Sequence, residues 1–254
     1  YGAESERTLE RLMGRAGSCF DLGRFEEARA ILERVWGVVR ERHGQGSLAA
    51  ARVLNERGLI LFFEGRHGEA EEIHRRVLRV YADRLGPESV ESAQALHNLG
   101  VSLLHQGKVK EAEGCLVECL RLTRSHAPTL HAATPRVRRW LAVVLASEGR
   151  LEDAHRQCEV AMTELRALVG EEHPFVAGVL DSMAFVAAGR GDRTEAEGLL
   201  SRSIELLSRA QGEDHPYTKA GRAKLENLRA GYPLLGTQVL SAEPLGDQVR
   251  SERD

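Results

Sequence analysis

Gly107-Lys108-Val109-Lys110-Glu111-Ala112 decides the fold, because the chain writes this pattern five times at one interval. The other copies are Gly23-Arg24-Phe25-Glu26-Glu27-Ala28, Gly65-Arg66-His67-Gly68-Glu69-Ala70, Gly149-Arg150-Leu151-Glu152-Asp153-Ala154 and Gly191-Asp192-Arg193-Thr194-Glu195-Ala196. Successive glycines differ by 65−23, 107−65, 149−107 and 191−149, each 42. With 25 glycines in 254 residues, five in one column arise by chance roughly once in a hundred thousand, so the period is real. A period of about twenty to fifty residues means stacked supersecondary units that share a core.

Outward from Gly107, residues 93–106 place Leu96, Leu99, Gly100, Leu103 and Leu104 at three- and four-residue spacing, which predicts an amphipathic helix. Gly107 ends it by supplying the left-handed conformation of a helix terminus. A second helix is predicted from about Lys110 to Ser125, with Ala112, Cys115, Leu116, Cys119, Leu120 and Leu122 as its buried stripe and Pro128 beyond its end. Gly44, Gly86, Gly170 and Gly212 hold the corresponding stop in the other units. Each unit is a helix hairpin. Two columns of small residues let its helices approach closely: Ala16, Gly58, Gly100, Ala142 and Ala184 on the first, Ala28, Ala70, Ala112, Ala154 and Ala196 on the second.

These small columns, the Leu column (Leu12, Leu54, Leu96, Leu180) and the hairpin resemble the tetratricopeptide repeat. The 42-residue spacing, Leu85-Gly86-Pro87-Glu88-Ser89, Gly170-Glu171-Glu172-His173-Pro174, Gly212-Glu213-Asp214-His215-Pro216 and Leu96-His97-Asn98-Leu99-Gly100 are similar to the kinesin light chain type. The resemblance implies an all-α, right-handed superhelix (an α-solenoid) of five hairpins plus a capping helix. The solenoid is expected over 6–231, with repeats at about 9–46, 47–88, 89–130, 131–172 and 173–214 and the cap at 216–231. Arg222, Glu226 and Arg229 give that cap a polar face. Residues 232–254, with Pro233, Gly236, Pro244 and Gly246, read as a flexible tail.

In this repeat type the first helices line a concave groove, and the resemblance carries ligand contacts onto particular positions. They are Arg52, Asn55, Phe62, Gln94, His97, Asn98, His105, Arg136, Arg139, Trp140 and Asp181. Asn55 and Asn98 match the asparagines that hold a peptide backbone; an amide both donates and accepts. Arg52, Arg136 and Arg139 can grip carboxylates, while Trp140 and Phe62 either anchor a ligand or pack between units. Arg138 interrupts the Leu column and either turns outward or joins the groove.

The partner expected is a protein or peptide with acidic and apolar residues, bound by a non-catalytic interaction module that serves as sensor or scaffold in a larger protein. The resemblance also admits the sensor domain of a STAND-class NTPase or a kinesin-light-chain-like cargo adaptor. The first residue is Tyr1, which reads as a fragment of a longer chain. A net charge of −3 gives no global attraction to nucleic acid or anionic lipid. No apolar run reaches membrane-spanning length, and a cytoplasmic setting is expected.

No phosphate loop, nucleophile elbow or HExxH occurs, so no catalytic set, cofactor or metal is expected. Cys19, Cys115, Cys119 and Cys158 fall on apolar columns and read as reduced packing residues. Cys115 and Cys119 could share a metal, but nothing completes a tetrahedral set. His131, His173 and His215, also 42 apart, read as loop or capping residues before each first helix.

Overall fold

The computed structural model describes residues 5–126 and 133–234. Among these residues there are eleven α-helices and no strand: α1 Glu6–Asp21, α2 Phe25–His43, α3 Leu48–Phe63, α4 His67–Leu85, α5 Val90–His105, α6 Val109–Ser125, α7 Ala133–Ser147, α8 Leu151–Val169, α9 Pro174–Gly189, α10 Arg193–Gln211 and α11 Pro216–Arg229. The chain divides into two compact units, Tyr1–Ser102 and Leu103–Asp254. The tail expected at 232–254 lies outside the described residues from 235 onward, as does His131.

The repeated glycine makes the turn that its position predicts. Gly107 has φ 74°, and the following Lys108 N–H donates back to the Leu103 carbonyl at 3.0 Å. The same bond recurs from Arg24 to Cys19, Arg66 to Leu61, Arg150 to Leu145 and Asp192 to Ala187. The left-handed residue lets each first helix stop and the next begin within three residues.

Helix starts follow another 42-residue column. Ser5, Ser47 and Ser89 accept through their hydroxyls from Thr8, Ala50 and Ser92 N–H groups at 3.2, 3.1 and 3.1 Å. His173 and His215 do the same through Nδ1, from Phe175 N–H at 3.1 Å and Tyr217 N–H at 3.3 Å. A cap of either kind satisfies a donor that the helix itself leaves open. For His173, burial holds the pKa below its ordinary value, which favours the neutral ring that accepts through Nδ1.

In the first unit α1 packs on α2 and α3 on α4; in the second, α7 packs on α8 and α9 on α10, with α11 against α10. The small column of the second helices sits at these contacts: Ala28, Ala70, Ala154 and Ala196 have no exposed surface, and Ala112 on α6 is equally buried. Beside them runs a core column of Leu32, His74, Leu116, Cys158 and Leu200, each at most 1% exposed. Burial pushes the Cys158 thiol up to about 12, keeping it a protonated packing group.

Candidate functional site

The first unit carries Arg52, Asn55, Phe62, Gln94, His97 and Asn98. Arg52 is exposed and Gln94 half-buried, whereas Asn55, His97, Asn98 and Phe62 are buried. The two asparagines meet each other: Asn98 Nδ2 donates to Asn55 Oδ1 at 2.9 Å. His97 Nδ1 lies 3.2 Å from Asn98 Oδ1. Phe62 joins an aromatic cluster, edge-on to Phe63 at 5.4 Å between centroids and 4.9 Å from His67. Phe63 in turn stacks on Phe25 at 5.5 Å.

The second unit carries His105, Arg136, Arg139, Trp140 and Asp181. His105 is half-buried; Arg136 and Arg139 are 2% exposed and Trp140 not at all. Both guanidiniums are held by aromatic faces, Arg139 Cζ 4.4 Å from the Trp140 centroid and Arg136 Cζ 5.1 Å from that of Phe175. His105 meets Trp140 edge-on at 5.7 Å. Arg139 Nη1 also reaches the Gly178 carbonyl at 3.5 Å. Gly178 makes the room, since a Cβ there would stand 3.2 Å from Arg139 Cζ and Nε.

Asp181 is 6% exposed and paired with Lys224 of α11, itself 7% exposed. Lys224 was not among the positions the resemblance named. Its signal was a 43-residue spacing: Asn55 to Asn98 and Asp181 to Lys224 both join a residue on one first helix to the following column on the next. Arg138 turns away from this face, donating to Glu164 Oε2 at 3.1 Å and Gln157 Oε1 at 2.9 Å on α8.

Of the cysteines, Cys19, Cys119 and Cys158 are buried and Cys115 is half-buried. Among the described residues no three His, Cys, Asp or Glu side chains gather where a metal ion could be held. No described helix is long and apolar enough to cross a membrane.

Hairpins closed by a periodic left-handed glycine, with small residues at each contact, define a helical repeat protein. Two family models, both described as tetratricopeptide repeat, match the chain, one at residues 7–83 and 49–125 and the other at 141–175 and 176–217. The chain belongs to the tetratricopeptide repeat family. Proteins of this family typically mediate protein–protein interaction and are generally non-catalytic scaffolds.

No curated protein matches the sequence. Among solved structures, BtubC (BKLC) from P. vanneervenii is similar with a TM-score of 0.62 and 20% identity, over 81% of this chain and 82% of that one. The TPR-like repeats from Podosopora anserina give 0.59 and 20%, over 80% and 96%. The Rap conjugation gene regulator of plasmid pLS20, solved in complex with the Phr* peptide, gives 0.67 and 16%, over 87% of this chain and 57% of that one. At such identities the likeness establishes the fold.

Proposed function

We propose that the chain is an interaction module that takes a peptide, or a flexible segment of a partner protein, along the first-helix face of its second unit, formed by α7 and α9. The preferred segment carries acidic and apolar residues. One observation carries this reading: Arg136 and Arg139 are held on α7 by Phe175 and Trp140, so two guanidinium groups are fixed in advance. Fixing a rotamer-rich cation before binding removes part of the ordering cost that a ligand otherwise has to offset, and a fixed fork suits a carboxylate. The pLS20 Rap regulator, of similar fold, was solved with a peptide bound.

The test is fluorescence anisotropy with a labelled ten-residue peptide alternating Leu and Glu. The wild-type chain binds it saturably, and Arg136→Gln with Arg139→Gln weakens binding at least about tenfold, the loss expected for charge-assisted hydrogen bonds. Helicity measured alongside separates lost binding from lost folding. Equal affinity of the folded double variant removes the α7 arginines from the site.

A further inference from the structure

The Asp181–Lys224 pair leaves one polar atom unaccounted for. Lys224 Nζ binds Asp181 Oδ2, while Asp181 Oδ1 is buried and has no hydrogen-bond partner. A buried acceptor without a partner is costly, and its persistence in a native fold calls for an occupant. The first unit shows what the position does elsewhere. Asn55, 126 residues (three repeats) before Asp181, accepts through Oδ1 from Asn98 Nδ2.

An asparagine paired in that way has an N–H donor left to offer. An aspartate whose Oδ2 is taken by a lysine can only accept. The change of Asn to Asp and of the partner Asn to Lys therefore reverses what this column asks of a ligand. Lys224 also cancels the Asp181 charge, so the acidic residue does not repel the acidic segment suited to Arg136 and Arg139. Beside it, Ser182 Oγ donates to the Gly178 carbonyl at 3.2 Å. That hydroxyl hydrogen is thus committed to the backbone, away from Asp181.

We propose that Asp181 Oδ1 is the acceptor for an amide N–H of the bound segment, and that Lys224 is the positioning residue that holds the carboxylate for it. This rests on the reading of the first-helix face as the ligand site. The amide can come from the peptide main chain or from an Asn or Gln side chain.

The two sources and the proposal itself are separated by a set of the Leu/Glu probe peptides, each N-methylated at one backbone amide. Against the wild-type chain, N-methylation at one position weakens binding at least about tenfold more than at its neighbours, the loss of one hydrogen bond to a charged acceptor. In the variant Asp181→Leu with Lys224→Met, which removes the pair together and avoids a buried lone charge, that excess penalty disappears. If every methylated peptide binds the wild type alike, yet a probe with Gln at one Leu position gains affinity only in the wild type, the donor is a side-chain amide. An excess penalty of equal size in both proteins, or no amide dependence of either kind, overturns the assignment and leaves Oδ1 to an ordered water. Probe binding that Arg136→Gln with Arg139→Gln abolishes, in the same run, shows that the site reading stands even then. A wild-type chain that binds no probe overturns both.

Discussion

His74 occupies a column that Leu32, Leu116, Cys158 and Leu200 fill elsewhere, and it lies where α4 meets α3 and Ser102 of α5. Its Nδ1 is 3.0 Å from Ser102 Oγ, and a Cβ on Gly58 would fall 2.4 Å from its Nε2. Burial alone holds its pKa down to about 3. Between that value and the ordinary 6.5 the unfolded chain binds a proton that the folded one refuses. Stability is therefore complete above pH 6.5 and lost as pH falls through this window, by about 1 kcal/mol per unit from this residue. Urea midpoints at pH 7.5 and 5 should diverge less in His74→Leu than in the wild type; equal divergence would refute the claim. Gly58→Ala should destabilise by about 1–3 kcal/mol through overpacking. The same substitution in a His74→Cys background should cost far less, because Ala142 and Cys158 already coexist in the fourth repeat.

At the scale of helices, two contacts are tested by volume and by charge. Ala112 on α6 has no exposed surface, so Ala112→Leu overpacks the core around α6 at an expected cost on the order of 1–3 kcal/mol. An unchanged melting temperature would show that the small column does not set the packing. Between α9 and α11, Lys224→Met strands the Asp181 carboxylate and should cost about 3–5 kcal/mol. Replacing both partners, Asp181→Leu with Lys224→Met, should restore most of that loss, since desolvation of the ions offsets much of their attraction. Additive losses in thermal melts would mean the pair is not coupled. The sequence carried part of this level. Glycine and alanine columns recur at 42 and mark the contacts, because one Cβ more or less decides whether two helices fit. The polar pairs recur at 43, from one helix to the next column of its neighbour, so comparison at the repeat period alone leaves Lys224 unmatched. Arg138 illustrates the same limit: a break in the Leu column is visible in the sequence, while the partners Glu164 and Gln157 depend on helix packing.

For the whole molecule, the repeat made the helical array legible, since backbone turns at Gly23, Gly65, Gly107, Gly149 and Gly191 demand a left-handed residue whatever surrounds them. Which first-helix residues reach solvent was less legible. Arg136, Arg139 and Trp140 sit on the expected columns and yet are largely buried, because Arg139 spans to Gly178 on α9 and an aromatic ring backs one face of each guanidinium. Partner binding at the α7–α9 face is read out by mapping backbone amide shifts of the labelled chain during titration with the Leu/Glu peptide. Saturable changes are expected at Arg139, Trp140 and Asp181, and they vanish in the Arg136→Gln, Arg139→Gln variant. Changes confined to the exposed sides of α6, α8 and α10 would contradict binding at that face.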